Sequence, residues 1–181
     1  CFEYKFKDFP IKEKDELEPN TIYAKCKNYL REISELYCQK YNMEFCWGRI
    51  FYTYGANEHP NRLFPYIINS LNNGKKVSIN HSQLKRDYIF AGDIAKAITL
   101  IMNSNIKGAV NLCSGKAITL ENIALTIAEK LNKLELLDLK KLETKEPDII
   151  AGDNSILLNK FNFNYSRVVD FICSDNVDSV N

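Results

Sequence analysis

Tyr23 and Lys27 stand four residues apart in Tyr23-Ala24-Lys25-Cys26-Lys27. On a helix, that spacing puts both side chains on one face. An ammonium beside a phenol favours the phenolate. A tyrosine tuned this way can exchange a proton with a hydroxyl during hydride transfer at the carbon that bears it. Taken alone the pair is weak. With ten tyrosines and this much lysine, about one such spacing is expected by chance. The other chemistry-bearing types form no constellation. His59 and His81 have no partner at zinc-site spacing, so no metal is assigned. The six cysteines, Cys1, Cys26, Cys38, Cys46, Cys113 and Cys173, form no CxxC pair. They read as buried, reduced thiols of a cytosolic protein.

The elements that must position Tyr23 and Lys27 follow from the apolar pattern. Residues 5–19 are charged and broken by Pro10 and Pro19, which predicts a loop. Asn20 or Thr21 can cap a helix running to about Tyr41. Its apolar positions Ile22, Cys26, Tyr29, Leu30, Ile33, Leu36 and Tyr37 make one helical stripe. The run Phe45–Phe51 suits a buried parallel strand. A polar loop from Gly55 to Arg62 then leads into a helix, Leu63 to Asn72, and a short strand, Val77 to Ile79. Asp93 can cap a helix Ile94 to Met102, and Ala109 to Leu112 is a strand. Thr119 can cap a helix with Ile123, Ile127 and Leu131 on one face. Beyond residue 134 the pattern is weak. Strands alternating with helices predict an α/β protein.

Composition sets bounds. The 181 residues are 45% hydrophobic, enough for a real core. The net charge of +1 gives no reason for binding nucleic acid or acidic membranes. No apolar run approaches the length of a membrane span, and the first residues do not read as a signal peptide. No glycine-rich turn of the kind that holds a dinucleotide pyrophosphate occurs, with seven glycines in all.

The neighbours of Tyr23 add weight. Pro19-Asn20-Thr21-Ile22-Tyr23-Ala24-Lys25-Cys26-Lys27 resembles the P-x-[ST]-x-Y-x-x-[ST]-K stretch of extended short-chain dehydrogenases. Gly48-Arg49-Ile50-Phe51-Tyr52-Thr53-Tyr54-Gly55 resembles their R-x-x-N-x-Y-G segment. Glu58-His59-Pro60-Asn61-Arg62-Leu63-Phe64-Pro65 resembles the loop entering their substrate domain. Arg86-Asp87-Tyr88-Ile89-Phe90-Ala91-Gly92-Asp93 resembles R-D-[YF]-[IL]-x-V-x-D, and Gly108–Gly115 resembles G-x-x-[YF]-N-[IL]-G-x-G. The order of the five segments is more specific than any one of them.

The resemblance implies the C-terminal part of a Rossmann-type parallel sheet (residues 1–55) followed by a small α/β substrate-binding region (residues 56–181), some of whose elements return to the sheet. It implies an NAD(P)-dependent enzyme acting on a nucleotide-diphosphate sugar. Tyr23 is then the catalytic acid/base, and Lys27 binds the nicotinamide ribose beside it. Arg86 holds the diphosphate, Arg62 lies near the nucleotide, and Tyr52 takes the place of a substrate-contacting Asn. Asp93 carries no chemistry and caps a helix. A homodimer through helix 20–41 and a cytoplasmic location are also implied.

The expected catalytic Ser or Thr falls at or just before Cys1, and the glycine-rich cofactor cradle lies outside the chain. Activity is therefore expected of a parent enzyme, not of these residues alone. Cys1 and Phe2 fall where sugar 4,6-dehydratases carry an Asp-Glu pair, so 4-epimerase or 4-keto-reductase chemistry is preferred to dehydration. A non-catalytic remnant that binds a nucleotide-sugar or a partner is the rival of another class.

Overall fold

The computed structural model describes residues 1–7 and 10–173, with Cys173 by its backbone alone. Helix α1 (Ile22–Lys40) starts at Thr21, whose hydroxyl accepts the Ala24 N–H at 3.1 Å. It stops at Tyr41, followed by Asn42 at φ 53°. Strand β1 (Cys46–Ile50) comes next, then β2 (Tyr52–Tyr54), α2 (Leu63–Asn72) and β3 (Val77–Ile79). Gly74, at φ +66°, makes the left-handed turn after α2 that a side chain would disfavour. Strand β4 (Lys85–Phe90) runs into α3 (Ala91–Met102). The rest is β5 (Gly108–Leu112), β6 (Ala117–Thr119), α4 (Leu120–Lys130), β7 (Leu137–Leu139), β8 (Ile149–Ile150), α5 (Ser155–Phe161) and α6 (Val168–Cys173).

Strands β1 and β5 pair in parallel, with Arg49 opposite Asn111. Strand β4 is the hub of the second sheet. It pairs in parallel with β2 through Tyr88–Phe90, antiparallel with β6, and in parallel with β8 through Lys85 and Arg86. Strands β3 and β7 pair in parallel. One apolar core gathers α2, α4 and α6 around Tyr54, Phe64, Ile67, Ile123, Ile127 and Phe171. A second packs α3 and α5 on β5 through Ile94, Ala97, Ile101, Val110 and Leu157. A third holds the N-terminal segment through Tyr4, Ile11, Phe51, Cys113 and Ile150. Among the described residues, no helix is long and apolar enough to cross a membrane.

Buried polar side chains fix how these parts meet. The carboxylate of Asp87, fully buried on β4, accepts from the Ser114 N–H at 2.8 Å, the Ser114 hydroxyl at 2.6 Å, the Gly115 N–H at 2.9 Å and the Gly152 N–H at 3.2 Å. It joins β4 to the turn after β5 and to the residues after β8. Burial outweighs these four bonds and pushes its pKa above the usual carboxylate value. Glu3 and Arg49 form a buried ion pair at 2.8 Å.

Two expectations need correction. Asp93 is not the cap of α3. The helix begins three residues earlier because β4 feeds it directly, with Phe90 in the cap position and no side-chain bond there. The buried Asp93 carboxylate instead accepts from the Ser166 N–H at 2.6 Å and tethers the segment before α6. The cysteines are not uniformly buried: Cys38 and Cys113 are, Cys1 and Cys46 are half-buried, and Cys26 is exposed. Cys26 is exposed because α1 turns its apolar stripe outward. Ile22 is 85% exposed and Ile33 and Leu36 65% each. The face α1 buries is short and mostly small, with Ala24, Asn28 and Cys38. The periodicity is a property of the helix alone, while the choice of covered face depends on what packs there.

Candidate active site

The first two turns of α1 carry Tyr23 and Lys27 to one face, with the Lys27 ammonium 5.8 Å from the centre of the Tyr23 ring. Ala24, 1% exposed, seats the first of these turns on the body of the chain. Both side chains open onto a cleft of about 180 Å³ walled by Cys1, Glu3, Trp47, Gly48 and Arg49. Tyr23, Cys1, Phe2 and Ile50 also border an adjoining cavity of about 450 Å³, which Tyr52, Glu58, Arg62 and Tyr88 line as well. The Tyr23 ring is 63% exposed, so its hydroxyl is reachable and not sealed in a core.

The floor beside Tyr23 is held by a polar network. Glu3 accepts from Arg49 Nε at 2.8 Å and from Trp47 Nε1 at 2.9 Å. Arg49 Nη1 donates to the Tyr4 hydroxyl at 3.0 Å and to the Glu13 carbonyl at 2.9 Å. The Tyr4 hydroxyl donates to Asn111 Oδ1 at 2.6 Å. Burial pushes the Tyr4 pKa up to about 12, so it stays a neutral donor. Every charge here is paired, as a buried charge must be. The network fixes residues 1–4 against β1 and thereby sets Cys1 and Phe2 beside Tyr23.

In the larger cavity, loop 55–62 presents two charges of opposite sign. Glu58 Oε1 accepts the Gly55 N–H at 3.0 Å, and partial burial raises the Glu58 pKa. Arg62 occupies the N-cap position of α2 and is exposed to the cavity. Tyr52 is half-buried, with its ring 5.5 Å from that of Tyr88.

Arg86 does not share this cavity. It lies in a neighbouring depression of about 380 Å³ bordered by Tyr52, Tyr66, Asn80, His81, Tyr88 and Glu146. It is 3% exposed, and its donors are engaged. Nη2 meets Glu146 at 2.7 Å, and Nη1 meets the carbonyls of Lys85 and Pro147 at 2.9 Å each. The Arg86 guanidinium also sits 5.8 Å from the centre of the Tyr52 ring, so Tyr52 is the partition between the two depressions. Of the sequence candidates, the fold thus brings Tyr23, Lys27, Tyr52 and Arg62 around joined clefts and sets Arg86 behind Tyr52. Glu58, Glu146 and the Glu3–Arg49 pair were not picked out as site residues. A single carboxylate in a polar loop carries no periodic signal, and the partners of Glu3 and Glu146 are distant in sequence. Among the described residues, no group of three or more His, Cys, Asp or Glu could hold a metal ion.

Residues 4–113 match the family described as NAD dependent epimerase/dehydratase family. The chain belongs to that family. It is similar to the dTDP-4-dehydro-6-deoxyglucose reductase of Escherichia coli, 28% identical over 131 residues, which cover 70% of this chain and 42% of the reductase. Its fold is that of the UDP-N-acetylglucosamine 4-epimerase from Methanobrevibacter ruminantium, solved with UDP-N-acetylmuramic acid (TM-score 0.84, 22% identity, 99% of this chain and 58% of that one). It is equally that of the dTDP-glucose 4,6-dehydratase from Bacillus anthracis, solved with NAD (TM-score 0.84, 18% identity, 98% of this chain and 57% of that one). The α/β arrangement with parallel strands is therefore Rossmann-type. The chain spans well under two thirds of the length of these relatives.

Proposed function

We propose that this chain is the proton-transfer and substrate-binding part of an NAD(P)-dependent enzyme that epimerises, or reduces the ketone of, a nucleotide-activated sugar at C4. The observation that carries the reading is the exposed Tyr23, with Lys27 beside it, at the junction of two clefts large enough for a sugar and walled by Glu58 and Arg62. Residues 1–55 contribute the cofactor side and residues 56–181 mainly the substrate side, with β5 returning to pair with β1.

The residues present fit one end of NAD or NADP. Lys27 is exposed beside Tyr23 and forms no ion pair among the described residues, so its donors are available to the nicotinamide ribose. The glycine-rich turn for the pyrophosphate is not part of this sequence. When bound, the nicotinamide supplies hydride chemistry. Tyr23 accepts a proton from the sugar hydroxyl, or returns one to it. Arg62, reachable in the cavity and free of ion pairs among the described residues, is the first contact for the diphosphate. Arg86 is the second, behind Tyr52, and reaches a phosphate once Glu146 yields. Cys1 and Phe2 beside Tyr23 offer no carboxylate for eliminating water, which favours epimerisation or reduction over dehydration.

The exposed stripe of α1 supports a homodimer that covers it, and the free thiols of Cys1, Cys26, Cys38, Cys46 and Cys113 support a cytoplasmic location. The test is turnover of UDP-, dTDP-, CDP- and GDP-sugars by the whole protein with NAD or NADP. We expect activity on one of them that Tyr23→Phe abolishes. No turnover of any, or full activity in Tyr23→Phe, refutes the reading.

A further inference from the structure

We infer that Glu58 is a specificity-determining residue that binds ring hydroxyls of the sugar, in the cavity where Tyr23 exchanges its proton. This rests on the function proposed above and adds to it the part of the substrate that loop 55–62 reads. Four observations converge. First, Glu58 and Tyr23 line the same cavity of about 450 Å³. Second, the carboxylate is aimed. Its Oε1 is anchored by the Gly55 N–H at 3.0 Å, while Oε2 accepts no hydrogen bond from a described residue. An ionised carboxylate is an acceptor only, with room for further donors on the free oxygen. Neutral sugars present hydroxyl donors, and phosphates do not.

Third, Glu58 and Arg62 sit one helical turn apart in sequence and face the same cavity, yet they do not form an ion pair within 4 Å among the described residues. Two opposite charges held apart in one cavity suit a ligand that is anionic at one end and rich in hydroxyls at the other. A nucleoside diphosphate joined to a sugar has that shape. Fourth, Glu58 is partly desolvated, as the upward direction of its pKa records. A hydrogen bond to a charged group is stronger where water competes less. The other carboxylates near these clefts do not offer this. Glu3 is consumed by Arg49 and Trp47, and Glu146 lies on the far side of Tyr52, paired to Arg86. A carboxylate at this place also selects against sugars that carry their own carboxylate, by like-charge repulsion.

The test uses the NAD-loaded whole protein and calorimetric titration. The probes are UDP-glucose, dTDP-glucose, CDP-glucose and GDP-mannose, each beside its free nucleoside diphosphate. The variant is Glu58→Gln, whose amide oxygen keeps the bond from Gly55, with a thermal melt to confirm the fold. We expect Glu58→Gln to weaken the best nucleotide-sugar by about tenfold to a hundredfold, as for a lost bond to a charged group. Affinity for the matching nucleoside diphosphate should not change. If both ligands bind the variant as they bind the wild type, the role of Glu58 is refuted and the proposed function stands. If both weaken together, Glu58 shapes the loop and does not read the sugar, and the inference is again overturned. If the wild type binds none of the probes, the proposed function falls and this inference with it.

Discussion

Replacing Asp87 with Ala removes the acceptor at the centre of the β4 sheet, and the cost can be worked from its four bonds. The Gly152 N–H it receives is buried, while the N–H groups of Ser114 and Gly115 are partly buried. Leaving a buried donor unsatisfied costs about 1–3 kcal/mol, so about 2 for Gly152 and about 1 for each of the others gives roughly 4 kcal/mol. That is a large share of the roughly 5–15 kcal/mol that holds a domain folded. Ser114→Ala removes the hydroxyl alone and should cost about 1 kcal/mol. The assay is urea unfolding of both variants and the wild type at neutral pH.

The same carboxylate sets a pH dependence. Burial raises its folded pKa above the unfolded value, so the folded state holds that proton more tightly. Stability should therefore fall as pH rises from the ordinary carboxylate value of about 3.9 through the raised folded value, and then level off. Asp87→Ala should lose that component of the slope. A cost below about 1 kcal/mol for Asp87→Ala would show that water or local rearrangement satisfies the three donors, and would refute the accounting.

Other outcomes follow from the site. Tyr23→Phe keeps the ring and loses the proton-transfer group, so kcat should fall by on the order of a hundredfold or more with KM little changed; steady-state kinetics with the preferred nucleotide-sugar check this. Arg62→Ala should raise KM by about tenfold to a hundredfold with the melting temperature unmoved, whereas Arg86→Ala should raise KM and also lower the melting temperature, because Arg86 anchors Glu146 and the Pro147 carbonyl. An Arg86→Ala protein that melts early but binds nucleotide-sugar normally would make Arg86 purely structural. Glu3→Ala strands the Arg49 guanidinium in a buried place and should cost about 3–5 kcal/mol, while the Glu3→Gln, Arg49→Met pair should cost less than the two single changes added, as measured by unfolding. Cys26, on the α1 stripe that the proposed dimer covers, should be alkylated rapidly where the protein is dilute enough to be monomeric, and Cys113, whose thiol burial pushes up, only on unfolding; mass-resolved labelling at equal rates under those conditions would contradict the placement of Cys113.

Local pattern carried α2, β3 and the start of α4, because each is closed by its own sequence. Asn73 and Gly74 stop α2, and Thr119 accepts the Asn122 N–H at the head of α4. Strand β4 was visible only as a motif. Lys85-Arg86-Asp87 reads as surface, yet Arg86 and Asp87 are buried, because Glu146, Ser114 and Gly152 arrive from afar to satisfy them. Strands β7 and β8 have three and two residues and exist only by pairing with β3 and β4, so no window of sequence could contain their signal. At the site, Tyr23 and Lys27 were legible because a helix relates them. That Tyr52 would stand between Arg62 and Arg86 was not, because it depends on where β2 meets β4.

Helix α1 is one continuous element of 19 residues, about 28 Å long at 1.5 Å per residue. Tyr23 and Lys27 ride on its first two turns, and the uncovered apolar positions continue along it to Leu36 and Tyr37. A stiff rod behaves as a lever: a surface that docks on its length also fixes its tilt, and the tilt sets where the phenol stands in the cleft. If the homodimer proposed above covers α1, turnover per molecule should fall on dilution, well before any unfolding is detectable.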